Sequence, residues 1–160
     1  MTTENLNGLK VAILVTDGFE QVELTEPRKA LDQAGARTQI VSPKDGQVRG
    51  WKFTEWGENF PVDVKLDGAK AEDFDTLLLP GGVMNPDELR TLPKAVAFAK
   101  AFLDAGKPVA SICHGPWTII ETGAAPDFVA LAQDRSAQRR RGLGGPGGRR
   151  GSKPGYEPQA

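Results

Sequence analysis

Only one cysteine occurs among the 160 residues, so no disulfide can form within the chain and a disulfide-stapled scaffold is excluded. Such usage suits a reducing compartment, and the cytoplasm is the expected location. Histidine is equally scarce: His114 is the only imidazole in the sequence. Long apolar runs are missing as well. No stretch nears the length of a membrane span, and the opening "MTTENLNGLK" lacks the basic-then-apolar order of a secretory leader, so no membrane association is expected. Net charge is small, formally −1, with 39% hydrophobic and 26% charged residues, the composition of a soluble globular protein. The length suits one domain with a sizeable core and is too short for two ordinary ones.

That near-neutrality is unevenly distributed. From Pro126 onward fall seven of the twenty Lys and Arg residues but only three of the twenty-one Asp and Glu. This segment contains "RRRGLGGPGGRRG" and almost no apolar periodicity. The sequence therefore divides into a domain over residues 8–125 and an Arg/Gly-rich tail over 126–160.

Within the domain, apolar runs alternate with helical periodicity. "KVAILVT" reads as a parallel strand covered on both faces. Val22, Leu24, Ala30, Leu31 and Ala34 mark an amphipathic helix ending at Gly35, and "RTQIVS" is a second strand. Residues 47–66 read as a small hairpin excursion. "FDTLLLPGG" is a third buried strand, "KAVAFAKAFLDAGK" a helix with a Gly-Lys stop, and "PVASIC" a fourth buried strand. Strands alternating with helices through short links imply a parallel α/β sheet with right-handed crossovers. Its functional edge is expected at the carboxyl ends of the strands, where "TDGFE", "LPGG" and "CHGP" all fall.

Cys113 and His114 sit side by side between the fourth strand and Gly115-Pro116, and proline suits the first turn of a helix. A cysteine on a sharp strand-to-helix turn is presented to solvent. The helix start directs N–H groups toward it, which favours the thiolate and a developing oxyanion. A lone cysteine is otherwise most often a buried structural residue; the adjacent histidine, the Gly-Pro and the preceding strand favour a nucleophile. Glu20 and Glu23, spaced i, i+3 at the start of the first helix, point toward the same sheet edge, or else compensate the helix N-terminus. Asp87 in "PGGVMNPDELR" has the plain alternative of a helix N-cap. Gly81 and Gly82 make a turn and permit close backbone approach to a bound group. No metal site and no cofactor are expected.

"FEQVELTEP", "FDTLLLPGG", "NPDELR" and "GKPVASICHGPW" together resemble the PfpI family of intracellular cysteine peptidases and stress proteins, in the superfamily of the parkinsonism-associated deglycase. The similarity covers about residues 8–123. It implies a flavodoxin-like three-layer α/β sandwich with Cys113 as nucleophile, His114 beside it and Glu23 hydrogen-bonded to the thiol. Gly81, Gly82 and Gly115 stand where substrate or an oxyanion would be held. The resemblance also places Asp87 where an acid reaches the active-site histidine from a neighbouring subunit, so a homo-oligomer is implied. The implied substrates are peptide bonds, or glyoxal, methylglyoxal and their adducts. Two alternatives are an oxidative-stress sensor in which Cys113 is oxidised stepwise, and an inactive truncated product. A glutaminase-type amidotransferase would need a distant histidine, which the sequence lacks.

After "ETGAA" the resemblance stops. The family pattern continues through a segment like "LTSWPSLKTDLRNAG" and later "NLVTSRKP". The possible codons of residues 126–160, taken one nucleotide later, permit both segments in one shifted frame. Pro126 followed by Asp127 gives CNG, which permits Leu, and Val129 followed by Ala130 gives TNG, which permits Trp. The tail is therefore expected to be an out-of-frame translation, with about four family positions lost near Ala125. The fold would then lack its last strands and helix, and an open sheet edge favours aggregation. The competing reading is a native Arg/Gly-rich tail that binds nucleic acid.

Overall fold

A computed structural model describes residues 5–124 of the chain. The expected tail, residues 126–160, lies outside the described residues. The first apolar run forms strand β1, Lys10–Leu14, and its side chains alternate between two cores. Ala12 and Leu14 enter one core, while Val11, Ile13 and Val15 enter the other. β2 is the short strand Phe19–Glu20, which leads directly into helix α1, Gln21–Gln33. α1 packs Leu24 onto the Val11/Ile13 face. Val22, expected on the apolar face, is exposed, because the helix touches the sheet through a narrower stripe than its sequence pattern suggests.

β3 is Arg37–Ser42, and residues 47–61 form a hairpin of β4, Gln47–Lys52, and β5, Glu55–Pro61. β6 is the two-residue strand Val64–Lys65, and β7 is Thr76–Leu79. Helix α2 is Met84–Leu89, and α3 is Pro93–Asp104, with proline at its start where the missing N–H costs nothing. β8 is Val109–Ser111 and α4 is Pro116–Ile120. On the second face of the sheet α3 contributes Ala95, Phe98, Ala99 and Phe102 to the core around Leu77 and Leu79. Helices thus cover both faces, which makes a three-layer α/β sandwich.

The main sheet has the order β6-β3-β1-β7-β8, all parallel. β1 sits between β3 and β7, so the chain first moves to one side of β1 and then to the other. A crevice opens at the carboxyl ends of strands where the order reverses, and ligands bind there in open α/β sheets. A separate three-stranded sheet, β2-β4-β5, stands over that end. Only the hairpin part of it was expected; β2 joins by pairing Phe19 with Gly50 and Glu20 with Trp51.

β8 differs from the expectation of a buried strand. Among the described residues it pairs with β7 only, Ala110 is exposed, and Val109 and Ser111 are half-buried. A strand with one hydrogen-bonded neighbour keeps an accessible edge.

Candidate active site

Three chain segments converge at the carboxyl end of the sheet: residues 16–23 after β1, Pro80 to Met84 after β7, and Ile112 to Gly115 after β8. They line a cleft of about 310 Å³ together with Trp51 and Phe53 from the hairpin. Cys113 is exposed in this cleft and adopts φ 55°, a left-handed conformation that a residue with a Cβ avoids unless its surroundings hold it there. The turn is closed by Ile112 N–H donating to Leu79 O at 3.1 Å and by Gly115 N–H donating to Ile112 O at 2.8 Å. Sγ of Cys113 lies 3.2 Å from Nδ1 of His114, within range for a proton to pass between them. His114 in turn meets Trp117 edge-on, with ring centroids 4.8 Å apart.

Glu23 and Glu20 both border the cleft. The expected Glu23–thiol hydrogen bond is replaced by another: Oε2 of Glu23 accepts the N–H of Gly81 at 2.7 Å. A Cβ on Gly81 would lie 2.7 Å from each of Cys113 Cβ, Glu23 Oε2 and Ile112 O, so only a residue without a side chain fits where the carboxylate and the nucleophile both come close to the backbone. Glu20 is the N-cap residue of α1, but its side chain makes no capping bond, and among the described residues its buried Oε1 has no partner.

The three glycines named for oxyanion or substrate binding separate by what their N–H groups do. Gly81 and Gly115 are committed to Glu23 and Ile112. Among the described residues the N–H groups of Gly82, Cys113 and His114 have no hydrogen-bond acceptor. Gly82 has φ 78° and is packed against the Gly18–Glu20 backbone, where a Cβ would lie 2.6 Å from Gly18 O.

Asp87 lies inside the first turn of α2, and Val83 occupies the N-cap position, so the capping alternative does not hold. Within the chain Asp87 does not reach His114. Its Oδ1 is 2.7 Å from Arg90, whose guanidinium also faces Glu121 at 3.6 Å and lies over the Trp117 ring. The Asp87 hydrogen bond and charge, with Glu121 adding to them, hold Arg90 above its ordinary pKa. These groups and Ile120 border a second, shallow pocket of about 270 Å³.

Asn85 carries no signal in the sequence beyond preceding a proline, yet it organises the site. It is fully buried; its Oδ1 accepts Thr16 N–H at 2.8 Å, and its Nδ2 donates to Pro80 O and Gly81 O. The end of β1 is thereby tied to the glycine turn. Among the described residues no group of His, Cys, Asp and Glu is placed to hold a metal ion, and no helix is long and apolar enough to cross a membrane.

The family model described as DJ-1/PfpI family matches residues 9–127 of this sequence. The chain belongs to the DJ-1/PfpI family. It is 43% identical over 113 residues to the Bacillus subtilis protein named "Putative cysteine protease YraA", covering 71% of this chain and 64% of that protein. It is 40% identical over 115 residues to the Thermococcus kodakarensis protein named Deglycase TK1284, covering 72% and 66%. The chain thus spans about two thirds of the length of these DJ-1/PfpI relatives. Among solved structures, the DJ-1/ThiJ/PfpI-like part of a two-domain Anabaena variabilis protein superimposes with a TM-score of 0.64 at 34% identity, over 71% of this chain and 32% of that one.

Proposed function

We propose that this DJ-1/PfpI chain is a cysteine-dependent enzyme that attacks reactive carbonyl centres, with glyoxal, methylglyoxal and their adducts as the substrate class. One observation carries the reading: an exposed Cys113 in a strained turn, 3.2 Å from an imidazole, in a cleft bordered by two carboxylates. In the common first step the thiol proton passes to His114. The thiolate sulfur bonds to the carbonyl carbon, and the carbonyl π pair moves onto oxygen, which then takes the proton to give a hemithioacetal. Among the described residues the N–H groups of Gly82, Cys113 and His114 have no acceptor, and those of Gly82 and Cys113 are the donors assigned to that oxygen in this reading. A relative named as a deglycase supports this substrate class.

A second copy of the chain is part of the reading. Asp87 is exposed on the face that also carries Arg90, Trp117 and Ile120, beside the His114–Trp117 pair. In the proposed dimer a partner's carboxylate orients His114 from that side.

Methylglyoxal consumption by the full chain tests the proposal. Cys113→Ser is expected to reduce it to the non-enzymatic background while leaving the thermal unfolding midpoint unchanged. Consumption that survives in this variant rejects the thiolate role. Cys113-dependent cleavage of a fluorogenic peptide without methylglyoxal consumption transfers the same nucleophile to peptide bonds, the chemistry in the name of the B. subtilis relative.

A further inference from the structure

Two non-glycine residues among those described have positive φ, and both line the same cleft: Cys113 at 55° and Phe53 at 53°. The strain at Cys113 presents the nucleophile. Phe53 has no part in the chemistry, so its conformation needs a separate account. It occupies the first position of the two-residue turn between Lys52 and Glu55, which pair across the hairpin. Turns with positive φ at that position ordinarily carry glycine. Here a bulky aromatic stands in its place, and it is 81% exposed. No core contact accounts for that side chain.

The hairpin that holds it is well anchored. Trp51 Nε1–H donates to Phe53 O at 2.9 Å across the turn, Trp51 packs edge-on against Trp56 at 5.3 Å, and Arg49 lies over Trp56 at 5.5 Å. At its base, Gln21 of α1 accepts Glu58 N–H through Oε1 at 2.8 Å. The Gln21 side chain passes through space that only glycines leave open, since a Cβ at Gly57 would lie 2.1 Å from Gln21 Oε1 and one at Gly50 3.1 Å from Gln21 Cβ. Gln21 adjoins Glu20 in sequence. The aromatic tip is thereby referenced to the carboxylate side of the cleft. The same cleft is lined after β7 by Val83, 58% exposed, and Met84, 41% exposed, whose thioether is well suited to contact a ring.

We infer that Trp51, Phe53, Val83 and Met84 form an aryl-binding subsite beside Cys113, so that the preferred substrates are carbonyl compounds bearing a flat apolar substituent next to the attacked carbon. This deepens the proposed function and rests on it for the chemistry, but the subsite itself can be read without turnover. The cleft, about 310 Å³, lies at the lower end of the sizes that hold organic ligands and exceeds what a two-carbon dicarbonyl fills. A ring held in the cleft that Phe53 and Met84 line can gain edge-to-face and sulfur–aromatic contacts that a methyl group cannot make.

Phe53→Gly separates this role from a structural one, because glycine removes the φ strain and the turn is expected to hold at least as well. In the full chain, the ratio of kcat/KM for phenylglyoxal to that for methylglyoxal is expected to fall about five-fold in Phe53→Gly, the scale of one lost aromatic contact. Phe53→Tyr should keep the ratio. The thermal midpoint of Phe53→Gly should be unchanged or higher. Independently of turnover, the rate at which phenacyl bromide alkylates Cys113, relative to bromoacetone, should fall by the same factor. If the native chain consumes neither dicarbonyl, the carbonyl-enzyme reading fails while the alkylation ratio still decides the subsite. An alkylation ratio that is the same in the native chain and in folded Phe53→Gly overturns the inference.

Discussion

A methyl group added at Gly81 would meet the nucleophile, the carboxylate and the chain backbone at once, each at 2.7 Å. Of these only the Glu23 side chain can move readily. Gly81→Ala is therefore expected to displace Glu23 from the Gly81 N–H, shift Cys113, and cost about 1–3 kcal/mol from overpacking. Denaturant unfolding should show the loss of stability, and alkylation of Cys113 by iodoacetamide in the folded protein should change rate. A variant with native stability and a native alkylation rate would show that the wedge at Gly81 is dispensable. Asn85 works at the same scale through hydrogen bonds. Its three partners are backbone groups, two of them in the glycine turn, so the side chain positions the turn without touching substrate.

Among the elements, α3 and the β4–β5 hairpin depend on different forces. α3 is held by burial. Phe98 and Phe102 stack edge-on at 5.2 Å, and Phe102, fully buried, packs against the sheet face that carries Leu77 and Leu79. Phe102→Ala is expected to destabilise the fold by about 3–5 kcal/mol, the range for emptying a buried aromatic site. A loss below 1 kcal/mol in urea unfolding would mean that α3 contributes little to the core. The hairpin, by contrast, has Trp56 and Phe53 exposed and is tied down by Phe60 against Phe19 and by the Gln21 hydrogen bond. Its tip can therefore be altered with little cost to the core, which is why the substrate-preference experiment uses it.

For the molecule as a whole, β8, paired with β7 alone among the described residues, and the tail at residues 126–160 lead to one comparison. If the tail is an out-of-frame translation, restoring the frame near Ala125 should raise soluble yield and thermal stability together, relative to the 160-residue chain and to one ending at Ala125. A native nucleic-acid-binding tail predicts instead that removing residues 126–160 leaves solubility and turnover intact and abolishes binding to RNA or DNA. Equal yield and equal carbonyl turnover in all three versions would reject the out-of-frame reading. The proposed dimer belongs to this scale too. A substitution that makes the protein monomeric by light scattering, placed away from Cys113, should leave the thiol reactive while abolishing turnover, and a fully active monomer would remove Asp87 from the site.

Much of this protein follows from local sequence alone. The apolar runs at 10–16 and 76–79, the helical periodicity at 93–104, and the strand–Cys–His–Gly–Pro order around residue 113 depend on neighbours a few positions apart, and period and turn chemistry report such neighbours directly. From them come the parallel α/β class, the exposed elbow and the convergence of Glu20, Glu23 and Cys113 on one edge. The ownership of individual donors and acceptors was decided only by tertiary structure. Gly81 N–H goes to Glu23, 58 positions away, Asn85 joins Thr16 to Pro80, and Phe53 lines one cleft with a cysteine 60 residues later in the chain. β8, read as buried from its apolar residues, pairs with β7 alone among the described residues, because burial depends on what pairs beside a strand and not on its own composition. Each of these rests on segments distant in sequence meeting across the sheet, and no local pattern records which partner a backbone N–H or an exposed ring will find.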